Sequence, residues 1–301
     1  MKQYNELSEQ LFTIRDWLRF TVSRFEESEI FYGHGTDNAY DEAAWLILSA
    51  LHLPHDTLDN FLDARITELE RKHLAHLVER RIVDRTPTAY LVREAWLKGF
   101  KFYVDERVIV PRSFIAELLE NGLLPWVEYP EMIESAADIC TGSGCLGVLL
   151  AHAFPNASID VIDISPDAID VANINIEKYG LQDQITAIES DMFSALKGKK
   201  YDVIISNPPY VDAPSMETLP QEYRNEPQLA LGSGIAGLDH THTLLSQAAA
   251  YLNDGGILVV EIGHNRDALL DAYPDLPFTW LDVESGNEFV FLLTKEQLLS
   301  A

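Results

Sequence analysis

The chain is short of positive charge. Its 301 residues include 22 Lys and Arg against 48 Asp and Glu, a formal net charge of −26 at pH 7. Nucleic-acid binding rests largely on neutralising phosphates with a basic surface. A globally acidic chain therefore argues against DNA or RNA as its substrate, unless a local basic groove survives. Its field would instead attract a basic partner, although an acidic surface serves solubility equally well. Cysteine is also scarce, with only Cys140 and Cys145, both in one glycine-rich segment. One such pair builds no disulfide framework. No further Cys or His stands at ligand spacing, so no metal site is expected. The two thiols read as small, buried and reduced. No apolar run reaches the roughly 18 residues of a membrane-spanning helix. The start, Met1-Lys2-Gln3-Tyr4-Asn5-Glu6, has no basic region followed by an apolar stretch, so no signal peptide is expected and a cytoplasmic location is.

Hydrophobic residues make up 47% of the chain, enough for one large domain and a small one. Helical periodicity dominates from Glu6 to about Asp84. Leu7, Leu11, Ile14 and Leu18 predict a first helix, and Ala43, Ala44, Leu46, Ile47, Leu48 and Leu51 a second that ends near Pro54. Leu58, Phe61, Leu62, Ile66 and Leu69 predict a third; Leu74, Leu77 and Ile82 predict a fourth. Residues 1–85 are thus expected to form a helical bundle. Residues 86–112 change period: Phe100, Phe102, Val104, Val108 and Val110 predict a β-hairpin linker turning at Asp105-Glu106.

Residues 113–301 alternate. A helix is expected over 114–123. β-rich runs follow at 136–140, 159–162, 185–188, 203–205 and 257–262, with helices such as 166–179 and 241–252 between them. This pattern predicts an α/β, Rossmann-like, doubly wound parallel sheet. The last two runs, 278–283 and 288–293, are separated only by Glu284-Ser285-Gly286-Asn287. That loop is too short for a parallel crossover, so the runs should pair antiparallel. A parallel sheet ending in an antiparallel hairpin resembles the class I methyltransferases.

The first run leads into Thr141-Gly142-Ser143-Gly144-Cys145-Leu146-Gly147. Gly142, Gly144 and Gly147 match the spacing of a dinucleotide fingerprint, which fits NAD, FAD and S-adenosyl-L-methionine alike. Nineteen residues after Gly144 stands Asp163, able to accept hydrogen bonds from both ribose hydroxyls. It could instead cap the next helix, but Ser165 before Pro166 already fills that place. Ser190-Asp191-Met192-Phe193 follows the third run, where Asp191 and Met192 can flank an adenine ring.

The sharpest signal is Asn207-Pro208-Pro209-Tyr210 after the fourth run. Two prolines fix two φ angles and remove two donors, leaving a rigid turn whose carbonyls act as acceptors. The Asn207 side chain and the Pro208 carbonyl can take both hydrogens of a planar NH₂ group, and Tyr210 can cover its π face. Such a site suits nitrogen methylation by in-line displacement, where positioning and preorganised acceptors supply the rate. The acceptor nitrogen could belong to adenine, guanine or glutamine.

The remaining residues choose among these. The stretch from Gly99-Phe100-Lys101-Phe102-Tyr103 through Val110-Pro111-Arg112 resembles the linker signature of protein N(5)-glutamine methyltransferases, and the helical bundle has that family's size. Asp138-Ile139-Cys140-Thr141-Gly142-Ser143-Gly144-Cys145, Asn207–Ala213 and Leu219–Pro227 look like the branch acting on ribosomal protein L-three of the large subunit. The other branch acts on release factors and usually carries glycine at the position of Cys140. The resemblance spans nearly the whole chain. It implies an N-terminal substrate-recognition domain and a basic ribosomal protein as partner. It implies S-adenosyl-L-methionine bound by Cys140, Thr141, Gly142, Ser143, Gly144, Asp163, Met192 and Asn207, to which the strand-end position adds Asp191 unless that is a plain loop acid, and a target amide held by Asn207, Pro208, Pro209 and Tyr210. Neither a membrane nor a nucleic-acid substrate is implied. Three residues depart from the family pattern: Leu97 for phenylalanine, Phe114 for proline and Ala236 for aspartate. The first alternative is a release-factor glutamine methyltransferase; further rival readings are a nucleic-acid amino-methyltransferase, a nicotinamide-dependent oxidoreductase resting on the glycine fingerprint alone, and a non-enzymatic ribosome-assembly factor.

Overall fold

The structure, a computed structural model, describes residues 9–300. The chain divides into two compact units: Met1–Ala95 with Val104–Glu106 and Pro220–Asn225, and Trp96–Tyr103 with Arg107–Leu219 and Glu226–Ala301.

The first unit is helical. Its chief helices are α1 (Ile14–Glu27), α2 (Ala39–Ala50) and, beyond the short α3 (Leu58–Phe61), α4 (Glu68–Val83). The first helix starts later than its periodicity predicts, because Thr13 and Asp16 form a capping box there. Leu11 is buried ahead of it, and Leu7 lies outside the described residues. The single helix expected over 58–69 is interrupted for a similar reason: Thr67 and Glu70 form a second capping box, which opens α4. Trp17, Phe25, Leu46, Ile47, Leu74 and Val78 meet in one apolar core, each burial contributing roughly 1.5–3 kcal/mol. Arg81 is buried among them. It bonds to Glu42, to the Phe31 carbonyl at 3.0 Å and to Glu222, on the 220–225 segment, at 3.4 Å. Losing one partner would strand a buried charge at a cost of about 3–5 kcal/mol.

After α5 (Thr88–Val92), β1 (Ala95–Leu97) and β2 (Phe100–Phe102) pair as a two-stranded sheet. The turn falls at Lys98 and Gly99, with φ of 48° and 79°, and not at Asp105-Glu106. A two-residue hairpin turn favours positive φ at both positions. Gly99 offers that freely, whereas neither Asp105 nor Glu106 adopts it. Val104, Val108 and Val110 are buried outside any strand.

The second unit is built on a seven-stranded sheet: β3 (Ser135–Ile139), β4 (Ser158–Asp163), β5 (Ile185–Glu189), β6 (Tyr201–Ser206), β7 (Leu252–Glu261), β8 (Thr279–Trp280) and β9 (Val290–Thr294), in the order β5-β4-β3-β6-β7-β9-β8. The first five are parallel. β9 runs antiparallel both to β7 and to β8. The last two strands pair antiparallel, as expected. However, β9 inserts between β7 and β8, so β8 points the same way as the parallel strands and only β9 is reversed.

Register sets the functional edge. Ile139 pairs with Ile162 on one side and Ser206 on the other, and Ser206 pairs with Val260. One residue past that row, on four neighbouring strands, stand Cys140, Asp163, Asn207 and Glu261. Ligands of open parallel sheets bind at this carboxyl edge.

Candidate active site

A cleft open to solvent lies at this edge. Its walls are the 107–113 segment, the glycine loop, Asp163–Ser165, Ser190–Met192, Asn207 and Pro209, Pro227 with Leu229 and Ala230, and His240.

At one end the backbone of the glycine loop is exposed for contact. Gly142 has φ of 56°, and a side chain built there would meet no atom within 4 Å, so the loop's open face is left for a ligand. Gly147 matters through close approach instead. A Cβ there would lie 2.2 Å from the Val161 side chain, so its helix, α7 after the short α6 (Ile115–Glu120), packs directly on β4 (α7, Cys145–Ala153). Cys140 holds φ of 63°, a conformation that glycine adopts more easily. Its Sγ lies 3.7 Å from Met192 Sδ, so the glycine loop and the Ser190–Met192 wall touch.

Ser165 caps α8 (Pro166–Lys178), accepting the Ala168 N–H at 3.3 Å, as its sequence position predicts. Asp163 is nonetheless not idle. Its Oδ2 accepts the Gly142 N–H at 2.9 Å and its Oδ1 the Ser165 N–H at 3.0 Å. Burial pushes its pKa up, partly offset by those bonds. Asp138, one layer below, is fully buried. Its Oδ2 accepts from Thr141 Oγ1, its Oδ1 has no partner, and burial raises its carboxyl to about 7. Asp191 stands exposed on the cleft wall, and Met192 is buried with φ of 49°.

At the other end Asn207 is anchored on one side only. Its Nδ2 donates to the Arg112 carbonyl at 3.3 Å, while its Oδ1 is buried with no hydrogen-bond partner. Buried polar atoms are nearly always satisfied, so this acceptor marks a place for a donor. Arg112 is itself clamped by Glu226, with bonds of 2.7 and 2.6 Å, and Glu226 also accepts the Val110 N–H at 2.9 Å. Pro209 lines the cleft; Pro208 is buried, and Tyr210 is half-buried. The Tyr210 carbonyl accepts from Asn265 Nδ2 at 2.6 Å, its hydroxyl donates to Glu261 Oε1 at 3.4 Å, and its ring fills the space that a Cβ on Gly263 would need.

Glu226, Glu261, Gly263, Asn265 and the Asp163–Gly142 bond were not apparent from sequence. His240 was also missed. It lines the cleft with Nδ1 2.8 Å from Ser233 Oγ, and burial lowers its pKa. Each is isolated in sequence from the motif it supports, and only the short Glu261-Ile262-Gly263 run after a strand offered a signal. Phe114 stands where the resemblance leads one to expect proline. Its φ of −69° suits a proline, but its N–H donates to Glu261 Oε2 at 2.9 Å, a bond proline lacks. Leu97 lies in β1 and Ala236 is exposed; neither lines the cleft.

A parallel sheet with one reversed strand beside its edge, a glycine loop after the first strand and an acid after the second define a class I methyltransferase. Consistent with this, a family model described as "Methyltransferase small domain" matches residues 123–222. Proteins named ribosomal protein uL3 glutamine methyltransferase align nearly end to end. The one from Neisseria meningitidis is 58% identical and covers 98% of this chain and 97% of its own length. That from Bordetella pertussis is 52% identical over 98% and 99%, and that from Burkholderia pseudomallei 50% over 95% of each. The chain belongs to the ribosomal protein uL3 glutamine methyltransferase family. Among solved structures, a methyltransferase from Pyrococcus furiosus matches 66% of this chain and 90% of its own at 18% identity and a TM-score of 0.46, too loose a likeness to argue from.

Proposed function

We propose that this chain methylates the side-chain amide nitrogen of a glutamine in ribosomal protein uL3, using S-adenosyl-L-methionine. The observation that carries the reading is the buried, partnerless Oδ1 of Asn207; the names of the relatives supply the substrate. The cleft residues fit the cofactor: an open backbone face at Gly142, an acid beside it, and Asp191 and Met192 on the far wall. Cys140–Gly144, Asp163, Asp191, Met192 and Asn207 would hold it, with spare lone pairs of Asp163 taking the ribose hydroxyls. When bound, the cofactor supplies an electrophilic methyl group on a sulfonium.

An amide nitrogen is a poor nucleophile because its lone pair is delocalised into the carbonyl. Asn207 Oδ1 and the Pro208 carbonyl, accepting its two hydrogens, would return density to nitrogen and aim the lone pair. Preorganised acceptors also stabilise the positive charge that develops there. Pro208 and Pro209 keep this geometry rigid, and Tyr210, held at hydroxyl, ring and carbonyl, would cover the π face. No side chain is assigned as general base; the proton leaves after transfer. Substrate recognition is assigned to residues 1–85, with 86–112 as linker and 113–301 as the methyltransferase domain. A protein that binds ribosomal RNA is cationic, which suits a chain of net charge −26.

The test is purified chain, isotope-labelled cofactor and recombinant uL3, with the label located by peptide mass spectrometry. One labelled glutamine in uL3 is expected. Label in release factor or nucleic acid, with uL3 unlabelled, would refute the assignment.

A further inference from the structure

Glu261 ends β7 and is 1% exposed, yet no salt bridge pairs it with a cation among the described residues. A buried carboxylate without a counter-charge costs stability, and burial does push this one up to about 7. An apolar residue would serve the sheet better, so the carboxylate has another use.

Its bonds indicate that use. Oε2 accepts from Ser113 Oγ at 2.7 Å and from the Phe114 N–H at 2.9 Å; Oε1 accepts from the Tyr210 hydroxyl at 3.4 Å. Ser113 and Phe114 directly follow Arg112, whose carbonyl receives Asn207 Nδ2. One carboxylate therefore ties together the two chain segments that flank Asn207: the segment that decides which way its amide points, and the Tyr210 side of its turn.

We propose that Glu261 is a positioning residue for methyl transfer, acting through Tyr210 and through the Arg112–Phe114 segment to hold the Asn207 Oδ1 toward the incoming amide. This rests on the reading of Asn207 as the group that holds the target. Glu261 touches no reacting atom, so its loss acts on the rate of the bound complex and not on cofactor binding. Misplacement by about an ångström costs up to about 100-fold in rate.

The experiment measures single-turnover methyl transfer to uL3, affinity for S-adenosylhomocysteine and melting temperature, for Glu261→Gln, Tyr210→Phe and the double variant. Glu261→Gln should lower the transfer rate roughly 10- to 100-fold and leave the affinity nearly unchanged. In that background Tyr210→Phe should add little, because coupled residues are not additive. A folded Glu261→Gln variant with a normal rate overturns the proposal, and so do losses that multiply. If Glu261→Gln fails to fold, Ser113→Ala combined with Tyr210→Phe removes two of the donors and leaves the carboxylate; a normal rate there overturns it equally. A wild-type chain that labels no glutamine breaks the functional reading itself. A wild type that labels glutamine beside an unaffected Glu261→Gln breaks only this inference.

Discussion

The two ends of the cleft are finished to different degrees. At the glycine-loop end both Asp163 oxygens already accept backbone N–H groups. At the Asn207 end the amide is pinned through its nitrogen to Arg112, and its oxygen is buried without a partner. The first end is a self-supporting cradle whose spare lone pairs and open backbone can add a ligand. The second carries an unmet hydrogen bond, which costs the free protein on the order of 1–3 kcal/mol and is recovered when a donor arrives. On the function proposed above, a cofactor shared by many enzymes would be met by a finished surface, and a particular amide would be selected by a site that is complete only with it.

The largest expected effect is at the unfinished end. Asn207→Ala should lower methyl transfer by on the order of 3 kcal/mol or more with only a small fall in melting temperature, since the oxygen it removes has no partner in the fold and the nitrogen gives up one hydrogen bond, to the Arg112 carbonyl. Near-normal turnover in the folded variant would erase the contrast between the two ends. Asp163→Ala should come next. Each charge-assisted bond lost to a ribose hydroxyl is worth roughly 1.5–3 kcal/mol, so calorimetry should show weakened S-adenosylhomocysteine binding with little change in turnover at saturating cofactor. Because Asp163 also holds Gly142, Asp163→Asn should keep part of the affinity. An unchanged dissociation constant in Asp163→Ala would make this acid purely a brace for the loop.

A smaller effect should appear in pH dependence. The Asp138 carboxyl lies at about 7 against an ordinary 3.8 because it is buried, so the folded chain binds its proton more tightly than the unfolded one. Its contribution to stability is present below about pH 4 and is lost as pH rises through about 7. Asp138→Asn removes that loss. Relative to wild type it should gain roughly 5–10 °C in melting temperature between pH 5 and pH 8. Melting curves that run parallel across that range would contradict it.

The smallest effect concerns long-range charge. Up to Ala95 the chain has 11 basic and 17 acidic residues; from Trp96 onward it has 11 and 31. If the methyltransferase part steers a basic substrate, salt should lower kcat/KM for uL3 several-fold, as the Debye length falls from about 10 Å at 0.1 M to about 3 Å at 1 M. A short uncharged glutamine peptide and the cofactor should respond much less. Equal salt sensitivity of protein and peptide would assign the acidic surface to solubility.

Sequence by itself determined what depends on neighbours in the chain. The glycine loop, the proline-fixed turn after Asn207 and the Ser165 cap each follow from backbone preferences of a few consecutive residues, and the alternating pattern was enough to foresee a parallel sheet with an antiparallel pair at its end. It did not show that β9 slips between β7 and β8, because the period of a strand does not name its partner. Nor did it place the hairpin turn, where the positive φ of Lys98 and Gly99 outweighed a longer run of alternating valines. Tertiary structure alone decided what crosses the sheet. Glu261 lies about 50 residues from Tyr210 and nearly 150 from Ser113, and Glu226 over 110 from Arg112. Such pairs leave no local trace, because nothing in the backbone of either partner depends on the other until register brings Cys140, Asp163, Asn207 and Glu261 to one edge.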